Sequence, residues 1–312
     1  MRNHTSVEEF ILLGFPGTPM LQTALFVVFL MIFLITLMGN LIIIVVICLD
    51  YRLHTSMYFF LCNLSFLEAL FITLILPGIL RNLISSCKTI SYASCLSQCY
   101  VYFYLGTVDF FLLSVMSIDR YLAICHPLHY PTIMNHSVSA LMVLGCWVAA
   151  FLCLLLPIIL LSRLSFSGPN KIDHFFCDTS AILELACSDT SFLRLICILV
   201  GSFVILGSLL LTGATYFCIF FTIFRMSSLQ RQSKALSTCA SHLTIVLLVY
   251  GSSLFTNIGT VSGHLLGIGK TVTVLSAIVV PLLNPFVYTL RNEDVKRALR
   301  DSIHRRRIRL GN

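Results

Sequence analysis

Charge is what this chain has least of. Aspartate, glutamate, lysine and arginine make up 11% of its 312 residues, where ordinary soluble domains carry roughly 25%, and 58% of the residues are hydrophobic. That balance excludes a soluble globular domain. Internal repeats, low-complexity runs and long linkers are also lacking, which points to one bundle and one domain. There is no His-Glu-x-x-His helix motif of the kind that metal hydrolases carry. Inverted repeats and paired interrupted helices, common in ion-coupled transporters, are absent too. Residues 1–23 contain neither a basic leader region nor a small-residue cleavage site. No cleaved signal peptide is therefore expected, and the first apolar block is read as its own insertion signal.

What the sequence does have is apolar blocks. A membrane span needs about 20 such residues to cross roughly 30 Å of hydrocarbon. Residues 24–49, 137–162, 195–224 and 271–290 hold no charge, nor does the more polar block 243–263. Blocks 57–80 and 89–118 each hold a single acid, Glu68 and Asp109. The expected fold is an all-α membrane protein, a seven-transmembrane helix bundle with a short amphipathic eighth helix. Residues 1–23 are read as an extracellular tail, 24–291 as the bundle, and 292–312 as a cytoplasmic amphipathic helix with a basic tail. In that last segment Val295, Ala298, Leu299 and Ile303 recur at helical spacing among Lys296, Arg297 and Arg300, the pattern of a helix lying on a membrane face.

Orientation follows from the basic residues of short loops. With the N-terminus outside, thirteen Lys and Arg fall on the inner side and seven on the outer. The net charge of +7 is then attraction to the inner leaflet and does not suggest nucleic acid. Of the Asn-x-Ser/Thr sequons at Asn3, Asn63 and Asn135, only Asn3 lies where glycosylation is expected. Cysteines facing outside are the ones expected to pair. They are Cys87, Cys95, Cys177 and Cys187, the last two in a loop, 163–191, long enough to need a staple. A bridge from Cys95 to Cys177 would tie that loop across the bundle mouth, although sequence alone leaves the connectivity open. His174 and Cys177 by themselves are too few for a metal site.

Polar residues inside the apolar blocks are costly and mark function. Glu68 and Asp109 lie 11 or 12 residues from the outer ends of the second and third spans, which places them at similar depth. Two close carboxylates share a proton or bind a cation such as Na⁺; alternatively each bonds to neighbours such as Asn40, Ser114 or Asn284. In "PLLNPFVY" (281–288), Pro281 and Pro285 each remove a backbone donor and kink the seventh span, a form suited to a movable element or a fixed bend. "MSIDRYLAIC" (116–125) ends the third span with Asp119 beside Arg120. The acid can hold the base against the helix end and release it on protonation, a two-state element. The competing reading is an arginine reaching for lipid headgroups.

"GN" in the first span, "DRY" closing the third, Trp147 in the fourth and "NPFVY" in the seventh together resemble the rhodopsin-like G-protein-coupled receptors. Within them the chain looks like a vertebrate olfactory receptor of the land-vertebrate class, closest to family 6. The carriers are "SMYFFLCNLSFLE" (56–68), "MSIDRYLAICHPLHY" (116–130), "HFFCD" with "LACSDT" (174–190), "KALSTCASHL" (234–243) and "PLLNPFVYTLRN" (281–292). The resemblance implies a receptor and not an enzyme, with no cofactor. It implies odorant detection at the plasma membrane of olfactory cilia, and a stimulatory olfactory G protein that raises cyclic AMP. It makes Asp119, Arg120 and Tyr121 the switch, together with Asn284, Pro285 and Tyr288 of the seventh span. Residues of "KALSTCASHL" would receive the G protein, and Cys95 and Cys177 would be the conserved bridge. The chain departs from the family pattern at Ser56 (usually Pro), Ile118 (usually Tyr) and Ser167 (often Cys). The last departure predicts that Cys187 lacks its usual partner and that the outer loop is looser.

A ligand pocket is expected between the outer halves of the third, fifth, sixth and seventh spans. Tyr102, Phe103, Gly106, Thr107 and Phe110 share a face of the third, and Tyr250, Ser253, Leu254 and Asn257 share one of the sixth. Val200, Phe203 and Val204 are assigned to the fifth and Ala277 to the seventh. These outer halves hold no acid or base below the loops, so a small, neutral, mainly apolar ligand is expected. Ser253, Asn257, Thr107 or Tyr102 would donate to an oxygen on it.

Overall fold

The computed structural model of the chain describes residues 9–15, 17–85, 88–166, 170–262, 274, 277–287 and 295–301; side chains at 234, 238 and 255–262 are outside that description. The helices are α1 (Pro19–Leu49), α2 (Ser56–Ile84), α3 (Tyr92–Cys125), the single turn α4 (Tyr130–Ile133), α5 (His136–Ser162), α6 (Thr179–Leu185), α7 (Ser191–Phe224) and α8 (Leu229–Ser262). Then come α9 (Ala277–Val287) and α10, residues 295–301. Six of them are long and apolar enough to cross a membrane, and α9 is the shorter seventh span.

Local chemistry explains the starts. Thr18 accepts the Leu21 N–H and Pro19 occupies the first helical position, where its missing donor costs nothing. Ser91 caps α3 and Asn135 caps α5 in the same way. The apolar residues of α1, α5 and α7 point outward: Met31, Met38, Leu141, Leu210 and Phe217 are all exposed. A soluble protein would hide them; here they face lipid, where a helix can span because its interior backbone groups bond along its own length.

Because lipid is as apolar as leucine, close packing has to hold the bundle together. α3, 34 residues and so about 51 Å long, runs through the middle against α2, α5, α7 and α8. Leu112, Leu113 and Met116 of α3 meet Leu64 of α2 and Ile245 and Val249 of α8 in the largest core cluster. The "GN" pair has a geometric reason. A Cβ on Gly39 would come within 3.0 Å of Pro285 Cβ, so only glycine lets α1 and α9 approach this closely. Next to it, Asn40 donates to the Thr36 and Pro281 carbonyls.

One part of the fold is absent from the all-α expectation. Residues Glu9–Leu12 form strand β1, which pairs antiparallel with β2 (Thr89–Ser91) and parallel with β3 (Lys171–Ile172), in the order β2-β1-β3. Phe10 is fully buried under this sheet against Tyr92 and Phe166. The segment read as a simple tail is therefore partly built into the bundle mouth, and α1 begins at Pro19 rather than residue 24.

Candidate functional site

The loop between α5 and α7 forms the roof of the site. A disulfide joins Cys95 of α3 to Cys177. The Cys177 N–H donates to Gln98 Oε1 at 3.1 Å, and Phe176 packs on the Tyr102 ring at 4.5 Å. Asp178 caps α6, and Thr179 Oγ1 lies 3.1 Å from Cys99 Sγ. Ile172, Phe176 and Ile182 are buried, so this part of the loop is packed onto the bundle. Cys187 is exposed and its N–H bonds to the Ser165 carbonyl; Ser167 and Cys87 lie outside the described residues.

Beneath the roof lies a cavity of about 660 Å³, within the roughly 300–1,000 Å³ of small-molecule sites. Tyr102, Phe103, Gly106, Thr107 and Phe110 line it from α3, Val200 and Val204 from α7, Ser253 from α8 and Ala277 from α9. Gly106 matters by omission, since a Cβ there would meet nothing within 4 Å. Three candidates are not on the described wall. Phe203 is 68% exposed on the outward face of α7. Tyr250 is buried with its ring 5.2 Å from Phe110, and Leu254 packs in the same small cluster. Both were placed by helical spacing, which fixes a face only to within a third of a turn. The Asn257 side chain lies outside the described residues.

The sequence reading missed two walls. Leu154, Pro157, Ile158 and Leu161 of α5 line the cavity, as do Asp178, Thr179, Ser180 and Leu183 of the roof. A loop gives no periodicity to read, and the α5 face is as apolar as its lipid side. The absence of charge from the wall also needs correction. The floor opens onto Glu68 and Asp109, and the mouth onto Asp178 and Arg194.

At the floor, Glu68 is 4% exposed and accepts a hydrogen bond from Asn284 Nδ2 of α9. Asp109 interacts electrostatically with Glu68, and its Oδ1 has no partner among the described residues. Glu68 of α2 and Asp109 of α3 both line the cavity and lie within electrostatic reach of each other. Asn284 connects Glu68 to α9; Pro285 follows it, and Tyr288 lies outside the described residues.

The far end of α3 holds the second constellation. Asp119, 1% exposed, takes Arg120 Nη2 and Nε on one oxygen and the Tyr130 hydroxyl on the other at 2.7 Å. Burial and the Asp119 charge push the Tyr130 phenol above its usual range, so it stays a donor. Tyr121, by contrast, points to His126 at 3.0 Å. Tyr216 of α7 and His242 of α8 bond to each other at 2.7 Å within electrostatic reach of Arg120. "KALSTCASHL" therefore divides: Cys239 and His242 pack inward while Leu236 and Ser237 are exposed. Ser56 Oγ donates to the Met134 carbonyl at 3.0 Å, a bond that proline at this position could not make. Arg52 bridges Asp50 at 2.6 Å and Asp301 of α10 at 2.7 Å, which fastens α10 to the α1–α2 turn, and both bonds hold the guanidinium's pKa up.

A roofed cavity at one end of a seven-helix bundle and a buried Asp–Arg–Tyr constellation at the other define a transmembrane receptor. Residues 39–288 match the family model described as the 7 transmembrane receptor (rhodopsin family), and the chain belongs to that family. Its fold matches squid rhodopsin with a TM-score of 0.73 at 17% identity, over 91% of this chain and 81% of that one. Curated relatives narrow the class. Olfactory receptor 6T1 of Homo sapiens is 48% identical over 96% of this chain and 93% of its own length. Olfactory receptor 6J1, also human, is 50% identical over 96% and 87%. The chain is an olfactory receptor, similar to members of family 6, and a signalling protein rather than an enzyme.

Proposed function

We propose that this receptor binds a small, neutral, mainly apolar volatile in the cavity between α3, α5, α7, α8 and α9. It then activates a stimulatory olfactory G protein, which raises cyclic AMP. In this reading the disulfide end faces outside, Asn3 is glycosylated, and α10 with the basic tail lies on the cytoplasmic face of the ciliary plasma membrane. The single observation that carries the reading is the cavity, walled mainly by apolar side chains and reaching from the roof to the Glu68–Asn284 contact on α9.

That contact supports a route from ligand to G protein. A ligand on the floor alters the surroundings of Glu68 and Asp109, and hence the hold on Asn284 and α9. The far ends of α3, α7 and α8 then separate, and Asp119 releases Arg120 to the G protein. Glu68 and Asp109 would share a Na⁺ ion or a proton in the resting state. The test is nucleotide exchange on a purified stimulatory G protein by receptor in lipid nanodiscs, across a panel of neutral volatiles. Ligand-dependent exchange is the expected result. Binding of several volatiles without exchange on that G protein would refute the coupling.

A further inference from the structure

Resting on the odorant reading above for what passes, we infer that residues 9–15 form a strap that governs entry to the cavity, and that Phe15 positions the roof the strap holds.

Strap and roof are joined by a run of backbone bonds. The Ile11 N–H donates to the Asn170 carbonyl at 2.8 Å, and the Leu13 N–H to the Ile172 carbonyl at 2.9 Å. The Gly14 N–H reaches the His174 carbonyl at 3.2 Å, and Asn170 Nδ2 donates back to the Glu9 carbonyl at 3.0 Å. On the bundle side, the Leu12 N–H donates to the Lys88 carbonyl at 2.9 Å. Gly14 then turns the chain with φ +67°, at a point where a Cβ would also crowd Asn82 Oδ1 at 3.1 Å.

That turn delivers Phe15 to the roof. Its ring stacks on Phe175 at 3.9 Å and tilts against Phe29 of α1 at 5.6 Å. His174 meets both Phe175 and Phe176 edge-on, and Phe176 lies 4.5 Å from the Tyr102 ring. Tyr102 lines the cavity, so a train of rings runs from the strap to the wall that a ligand touches. The disulfide ties the roof at Cys177, while residues 170–174 bond to the strap. Hydrogen bonds at an aqueous mouth exchange readily with water and contribute little each. The stacked Phe15 removes apolar surface and holds one geometry. Lifting the strap breaks far fewer contacts than parting the helices, which makes it the easiest opening of the roof.

The experiment places a thiol in the cavity and times its modification in purified receptor in nanodiscs. Gly106→Cys fits, because a Cβ there meets nothing within 4 Å. The probe is methyl methanethiosulfonate, small and neutral; the thiol takes its methylthio group as a disulfide and releases methanesulfinic acid. Peptide mass spectrometry reads each cysteine separately. Adding Phe15→Ala should raise the rate at residue 106 about tenfold, the scale of one aromatic pair, and Phe15→Tyr in its place should leave the rate near that of the parent. Cys146, buried between α3 and α5, should keep its own rate, which loosening of the whole bundle would raise. A second receptor retains Phe15 and adds Ile11→Cys with Lys171→Cys, which face each other across the β1–β3 ladder. Neighbouring strands lie about 4.8 Å apart, a spacing a disulfide can bridge. Bridged, this receptor should label about tenfold more slowly, and reducing the bridge before labelling should restore the rate.

An unchanged rate in Phe15→Ala would overturn the inference. So would a rise at Cys146 equal to that at residue 106, or a bridged receptor that labels as fast as the reduced one. None of these readings needs an odorant or a G protein, so their failure leaves the odorant reading intact. A receptor that meets all three and answers no volatile would sink that reading and leave the strap standing.

Discussion

Tyr130→Phe isolates the hold on Asp119. The ring stays in place, half-buried at the turn after α3, and only the hydroxyl is removed. Asp119 then loses one of its two partners while keeping Arg120. A hydrogen bond to a charged group contributes about 1.5–3 kcal/mol, and the lower end applies because Arg120 still satisfies the carboxylate. About 1.5 kcal/mol is roughly a tenfold change in the ratio of locked to open receptor. If the Tyr130–Asp119 bond belongs to the locked state, ligand-free cyclic AMP should rise by up to about tenfold, with the maximal response unchanged. The assay is basal cyclic AMP at matched surface density, counted by an N-terminal epitope tag. Unchanged or reduced basal signalling at equal density would refute this account of the lock.

Two further outcomes follow from packing. Gly39→Ala should already lower surface display, because its Cβ meets Pro285 at 3.0 Å and such overpacking costs about 1–3 kcal/mol, and Gly39→Leu should lower it further; antibody staining of intact cells reads both. Val204→Phe should weaken odorant potency by filling the cavity, whereas Phe203→Ala, on the outward face, should leave it unchanged in a dose–response series.

The seven spans were legible because each shows a run of about 20 mainly apolar residues with at most one acid, the most robust signal a sequence can carry. Asp119 with Arg120, Glu68 with Asp109, and the outward cysteines were legible because polar or cysteine residues stand out against an apolar background, while the pairing of Cys95 with Cys177 rested on the family resemblance. The roof was not. Strands of two to four residues and a seven-residue α6 give no periodicity, and Phe10 looks like any tail residue until Tyr92 and Phe166 close around it. Nor was the reach of the cavity legible. Spacing along one helix places Gly106 and Asp109 correctly on α3, but only the packing of neighbouring helices shows that a single chamber spans both. Tyr130 and Ser56 were invisible for a related reason. Their partners, Asp119 and Met134, are brought to them by a turn whose path the sequence does not spell out.

The central claim is that ligand is bound at one end of α3 and reported at the other. The most direct test measures odorant binding and G-protein nucleotide exchange on Gly106→Leu and Arg120→Ala receptors side by side. Gly106→Leu projects into open space and should abolish binding and exchange together while leaving the fold and surface display intact. Arg120→Ala should keep binding and lose exchange. Exchange that survives in Arg120→Ala, or binding that survives unchanged in Gly106→Leu, would contradict the account.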